Sequence, residues 1–127
     1  MILGLGTDIV EIDRIRKMIE RHGDHFLQRC FTSAEIEYAV KYRDSAARFS
    51  GRWAAKEAIV KMIGTGFVKG ITFHDIEVLP LPSGQPNVHL SGGAAETAAK
   101  LGISRILLTI SHARDYATAT AVGVGAE

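Results

Sequence analysis

Residues 45–66 read SAARFSGRWAAKEAIVKMIGTG, and the way this stretch folds decides where the rest of the chain can go. Its spacing of small apolar residues predicts one long helix over 45–63, opened at Ser45 and ended by Gly64 in the left-handed conformation that glycine adopts without steric cost. Phe49, Trp53, Glu57 and Lys61 recur every four residues, so their side chains stack along one stripe. With the two aromatic residues turned inward, Glu57 is carried to the edge of the core, where an unpaired carboxylate is costly and calls for a cation. The competing reading is an exposed Glu57–Lys61 pair, worth only a few tenths of a kcal/mol. Gly51 costs up to about 1 kcal/mol relative to alanine inside a helix, which implies a close neighbour there.

Around this helix the remaining elements follow from local pattern. Residues 2–10 are a strand, with Gly4 and Gly6 allowing close backbone approach and Asp8 near its end. A helix runs from the N-cap Asp13 to His22, with Ile15, Met18 and Ile19 on one face, Arg14, Lys17 and Arg21 on the other, and Gly23 as the break. Thr32 and Glu35 form a capping box that opens a further helix to about Tyr42. Residues 71–81 and 86–90 are strands joined by the turn PSGQ, and 93–102 is a short alanine-rich helix. Two last strands, 104–111 and 116–124, flank the turn HARD. The order is strand, three helices, two strands, helix, two strands, which is an α+β arrangement within a single domain over residues 1–127.

Composition excludes several classes. The chain has 127 residues, 46% hydrophobic and 23% charged, the balance of one ordinary domain with one core. A formal net charge of +1 gives no global attraction to nucleic acid or an anionic membrane, so an anionic partner must meet a local patch. One patch exists: Arg14, Arg16, Lys17, Arg21 and Arg29 outnumber Glu20 and Asp24 between positions 14 and 29. Cys30 is the only cysteine, the opening residues lack the pattern of a signal peptide, and no apolar run approaches the roughly 18 residues of a membrane span. These features point to a cytoplasmic protein. His22, His25, His74 and His89 share no ligand spacing with each other or with Cys30, which argues against zinc.

Asp8 and Glu57 are the carboxylates best placed for metal chemistry, since Mg²⁺ takes one or two carboxylates and keeps much of its water. Spacing alone leaves open whether they meet, and Asp8 has a bland reading as a strand-terminal cap. GLGTD at 4–8 lacks the third glycine and the following helix of a dinucleotide site. His112, after a strand, reads equally as a surface hairpin residue.

Taken together, GLGTDIVEIDRI (4–15), RCFTSAE (29–35), RWAAKEAIVKMIGTG (52–66), GQP (84–86) and ISHARDYATA (110–119) resemble, in order and over nearly the whole chain, the holo-acyl-carrier-protein synthase family of small bacterial 4'-phosphopantetheinyl transferases. The resemblance implies that family's fold, a small antiparallel sheet packed against a long helix, assembled as a homotrimer with sites between subunits. It implies transfer of 4'-phosphopantetheine from coenzyme A to a serine of apo-acyl carrier protein, releasing adenosine 3',5'-bisphosphate and serving fatty acid synthesis. Asp8 and Glu57 would then be Mg²⁺ ligands. Lys61 would stabilise or protonate the leaving group, and the serine proton would go to Glu57 or to a metal-bound water. Arg52, Lys61, Gly64, Thr65 and Gly66 would bind coenzyme A, with Pro86, Ser111 and His112 supplied by a neighbouring subunit to the 3'-phosphoadenosine end. Arg14, Met18, Arg21, Phe26 and Arg29 would dock the acidic carrier. Met62 and the pair Ser50–Gly51 depart from the commonest pattern, and Lys56 receives no role. A Mg²⁺-dependent phosphohydrolase and a non-catalytic trimeric carrier-binding module remain as alternatives.

Overall fold

In the computed structural model, which describes residues 1–68 and 70–126, the chain runs β1 (Ile2–Glu11), α1 (Ile12–His22), α2 (Asp24–Cys30), α3 (Ser33–Ala39) and α4 (Ser45–Met62). After a 3-10 turn at Phe73–Asp75 come β2 (Ile76–Pro80), β3 (Pro86–Leu90), α5 (Gly92–Lys100), β4 (Ile103–His112) and β5 (Tyr116–Gly125). An antiparallel sheet of order β1-β5-β4 lies against α4, and β2 and β3 form a separate antiparallel pair. This is the expected α+β arrangement.

Small residues set how closely helix and sheet approach. Along α4, Ala54, Ala55 and Ala58 are buried beside Ile59 and Val60, and along β5 every second residue of Ala117, Ala119, Ala121, Gly123 and Gly125 faces the helix and is buried. On β1, a Cβ at Gly6 would overlap the Ala58 carbonyl oxygen and stand 2.7 Å from Met62 N, and one at Gly4 would meet the Met62 carbonyl. Gly51 has the predicted neighbour, with Ile110 Cγ2 3.0 Å from where its Cβ would be.

Several boundaries differ from the pattern-based expectation. α1 begins directly at the end of β1, with Ile12 N donating to Asp115 O at 2.9 Å. Asp13 therefore caps nothing and instead pairs with Lys17 at 3.1 Å and Arg16 at 3.7 Å. α2 went unforeseen, because seven residues are too few to display a helical period, although Phe26, Leu27 and Cys30 are all buried. α3 ends at Ala39 rather than Tyr42. Residues 71–75 are not strand: Asp75 accepts from Thr72 N, Thr72 Oγ1 and Ala94 N, which bends the chain into the 3-10 turn and starts the strand only at Ile76. The capping box is present, with Glu35 N donating to Thr32 Oγ1 at 3.2 Å and Thr32 N to Glu35 Oε1 at 2.8 Å. Among the described residues, no helix is long and apolar enough to cross a membrane.

Candidate active site

The stripe on α4 grades from core to solvent: Phe49 is buried, Trp53 and Glu57 are half-buried, and Lys61 is exposed. Because Gly4 and Gly6 let β1 press on the helix, Asp8 arrives beside the solvent end of that stripe. Lys61 Nζ donates to Asp8 Oδ1 and to Thr7 O, both at 3.0 Å, with the lysine side chain 52% exposed and the aspartate 12%. The other oxygen, Asp8 Oδ2, is buried with no hydrogen-bond partner among the described residues. Burial pushes the Glu57 carboxyl above its ordinary value and the Asp8 charge adds to the rise, while Lys61 and Arg14 oppose it. Sequence spacing left open whether Asp8 and Glu57 interact; the fold makes them electrostatic neighbours.

This arrangement fits a Mg²⁺ ion. An orphaned carboxylate oxygen and a second carboxylate destabilised by its neighbour are relieved by a divalent cation. Two carboxylates are an ordinary protein contribution to Mg²⁺, which retains water in most of its coordination sphere, and among the described residues no group of three or more His, Cys, Asp or Glu able to hold a metal is gathered.

Beyond Lys61 the helix closes with Thr65 N and Gly66 N donating to Val60 O at 3.2 and 3.3 Å. Gly64 and Gly66 have φ of 81° and 65°, and no atom lies within 4 Å of where their Cβ would be. Their outer surface is thus open to a ligand. Trp53 packs on Phe73 with centroids 6.4 Å apart, Phe73 stacks on Phe67 at 3.9 Å, and the Arg14 guanidinium lies 5.4 Å from the Trp53 ring centre. The sequence reading did not single out Phe67 or Phe73; Phe67 lies between elements, and Phe73 falls within the strand expected over 71–81.

Arg52 is placed elsewhere. It is 6% exposed, with its guanidinium 4.4 Å above the Tyr38 ring and Nε without a partner among the described residues. It lines a cavity of about 200 Å³ with Arg48, Gly84, Pro86 and His112, and this cavity shares Arg48 and His112 with an open one of about 630 Å³ that adds Arg43 and Arg114. Within one chain, therefore, Arg52 does not share an anion site with Lys61; it stands with Pro86 and His112, five residues and more than a turn of helix away from Glu57. Ser111 does not join them, because successive strand residues face opposite sides and Ser111 lies on the exposed face with Leu107 and Thr109.

The basic face of α1 is present: Arg14 and Arg21 are exposed and Met18 half-buried, lining an open groove of about 430 Å³ with Lys17, Asp13 and Glu11. Arg29 is exposed on α2. Phe26 is not an available anchor, since it is buried with its ring edge-on to Phe31, 6.1 Å between centroids. The apolar contact on this face falls to Met18 and the Trp53 ring.

Comparison with known proteins identifies the family. The 4'-phosphopantetheinyl transferase superfamily matches residues 4–121. A holo-[acyl-carrier-protein] synthase from Koribacter versatilis is 48% identical over 122 residues, covering 96% of this chain and 98% of that protein. The crystal structure of the synthase from Neisseria meningitidis superimposes with a TM-score of 0.88 at 31% identity, covering 98% of this chain and 99% of the other. That of the Helicobacter pylori synthase in complex with coenzyme A does so with a TM-score of 0.84 at 32% identity, covering 94% and 99%. With the fold, the α4 motif and the paired carboxylates all in place, the chain belongs to the 4'-phosphopantetheinyl transferase superfamily, among the holo-[acyl-carrier-protein] synthases.

Proposed function

We propose that this protein transfers 4'-phosphopantetheine from coenzyme A to a serine of apo-acyl carrier protein, with Mg²⁺ held by Asp8 and Glu57. The observation that carries the reading is the meeting of Asp8, Glu57 and Lys61 at the end of α4, with Asp8 Oδ2 left without a partner among the described residues. In the reaction, the serine Oγ forms a bond to the pantetheine-bearing phosphorus, and the bond from that phosphorus to the oxygen of adenosine 3',5'-bisphosphate breaks. Bound Mg²⁺ supplies charge neutralisation on the phosphate oxygens. Lys61, half exposed beside Asp8, meets the negative charge that develops on the leaving bisphosphate. The serine proton passes to Glu57 or to water beside it. The open backbone at Gly64, Thr65 and Gly66 flanks the pyrophosphate.

The remaining roles follow the division of cations in the fold. Arg52, Pro86 and His112 lie on a different part of the chain from Asp8 and Glu57, which supports a site completed by a second subunit binding the 3'-phosphoadenosine end. The outer face of the β1-β5-β4 sheet supports a homotrimer, for it presents Leu5 at 67% and Ile9 at 63% exposure beside Val122 and Leu107. Arg14, Met18, Arg21 and Arg29 meet the acidic carrier through charge steering and an apolar contact. A cytoplasmic location and service to fatty acid synthesis complete the proposal.

One assay tests it. Incubated with coenzyme A, Mg²⁺ and apo-carrier, the protein should add about 340 Da to the carrier by intact mass, the phosphopantetheine arm. An unmodified carrier would refute the reading; release of adenosine 3',5'-bisphosphate without that gain would mean that water is the acceptor.

A further inference from the structure

Lys56 adjoins Glu57 in sequence but points the opposite way, into the core, and the transfer chemistry gives it no task. It is fully buried together with Glu35, Nζ to Oε1 2.6 Å. Its remaining N–H groups go to Cys30 O at 2.8 Å and Phe73 O at 3.0 Å. Glu35 is equally committed: Oε1 also accepts from Thr32 N at 2.8 Å, and Oε2 accepts from Val78 N at 2.8 Å. One ammonium and one carboxylate thus join the end of α2, the start of α3, the 3-10 turn and β2 to the middle of α4.

Stability does not explain such a pair. Replacing a buried ion pair by apolar groups of like volume is often neutral or favourable, because desolvation offsets the attraction. Apolar packing cannot, however, fix direction, whereas three donors on three acceptors from separate segments allow one orientation. What they orient is specific. Cys30 follows Arg29, a cation of the carrier-facing surface. Phe73 stacks on Trp53, whose ring carries Arg14 of the same surface and which precedes Glu57 by one turn. We propose that Lys56 and Glu35 act as positioning residues that fix the carrier-docking segments against α4, so that the serine of a docked carrier reaches the Asp8–Glu57 site in line. A displacement on the order of 1 Å at the reacting atoms costs on the order of 100-fold in rate, so a small rotation of α4 against α2 suffices to matter.

This inference rests on the transferase reading, and its test separates the two. Lys56→Met alone strands a buried carboxylate and is set aside. Lys56→Met combined with Glu35→Gln removes both charges and keeps an acceptor for the Thr32 or Val78 N–H; Lys56→Gln combined with Glu35→Gln, which also removes both charges but keeps a donor near Cys30 O and Phe73 O, is the milder second variant. Each is checked for a cooperative thermal transition, for coenzyme A binding by calorimetry, and for carrier loading. Trp53, the chain's one tryptophan, reports the local ring stack through its emission when carrier is added. The expectation is coenzyme A affinity within about 2-fold of wild type, carrier kcat/KM down about 30-fold in the Lys56→Met, Glu35→Gln variant and less in the Lys56→Gln, Glu35→Gln variant, mostly in kcat, with an altered Trp53 response. Carrier kcat/KM within about 3-fold of wild type in a folded variant would overturn the positioning role, as would a parallel loss of coenzyme A affinity, which marks general damage. Wild-type protein that fails to load the carrier would overturn the transferase reading instead.

Discussion

Replacing Gly6 by alanine isolates the contact on which the site geometry depends. Its new methyl group would overlap the Ala58 carbonyl oxygen and stand 2.7 Å from Met62 N. Both are backbone atoms of a helix held on all sides, so no side chain can turn away, and β1 must retreat from α4 by something on the order of 1 Å. Overpacking of this kind typically costs 1–3 kcal/mol when side chains can adjust; with backbone on both sides we expect about 3 kcal/mol. For a chain of this length that corresponds to a fall in Tm of about 10 °C. Asp8 lies two residues further along and retreats with the strand, so transfer should drop by on the order of 100-fold even in the folded fraction. Gly66→Ala is the matched control: it meets no atom within 4 Å but has φ of 65°, so it carries backbone strain without a clash. Its cost should be about 1–2 kcal/mol. Calorimetric unfolding is measured on both, and carrier loading on Gly6→Ala against wild type. If Gly6→Ala proved no less stable than Gly66→Ala and loaded carrier at the wild-type rate, the claim that glycine contact sets the Asp8–Glu57 spacing would fail.

Other outcomes follow from the same geometry. Burial raises the Glu57 carboxyl above 4.5, so the folded state binds its proton more tightly than the unfolded chain; the associated stability is full in acid and lost as pH rises from that value through the raised one. Glu57→Gln should therefore melt higher than wild type in metal-free buffer at pH 7, lose the stabilisation that Mg²⁺ gives, and transfer at least about 100-fold more slowly; a Tm below wild type there would contradict the sign. Arg14→Ala with Arg21→Ala should raise the carrier KM and flatten its dependence on salt while leaving coenzyme A affinity unchanged, and an equal loss of coenzyme affinity would reassign the basic face to the coenzyme. Leu5→Glu should yield a folded monomer by native mass measurement, with little transfer; a trimer of unchanged mass would remove this sheet face from the interface.

Much of the fold was legible because the decisive signals are local. The four-residue repeat of Phe49, Trp53, Glu57 and Lys61 placed a carboxylate at the rim of the core, and the Thr32–Glu35 box marked the start of α3 correctly. What stayed hidden depends on partners far along the chain. Glu35 was recognised as a cap, yet its heavier duty is to Lys56, 21 residues on and invisible to spacing. The loop at 71–75 looks like strand until Asp75 is seen bonding to Ala94 N. Ser111 is grouped with His112 by the resemblance although strand alternation separates them, and Phe26 is placed on the docking face by the resemblance alone, the seven-residue helix that buries it being too short to show a period. Arg52 and Lys61, on one helix and of like charge, are given one anion by the sequence reading; more than two turns of helix separate them, and Arg52 packs on Tyr38 while Lys61 pairs with Asp8.

The alternating alanines and glycines on the inner face of β5 have a bearing on how such an enzyme can change. They act as a gauge block: the helix that carries Glu57 rests on methyl groups and bare backbone, with no long side chains to bend or re-rotamerise. Single methylenes added at Ala117, Ala119 or Ala121 would then tilt the whole of α4 and move Glu57 with it, from behind the helix. Variants with altered spacing between Asp8 and Glu57 should accordingly arise in a strand that contributes neither carboxylate.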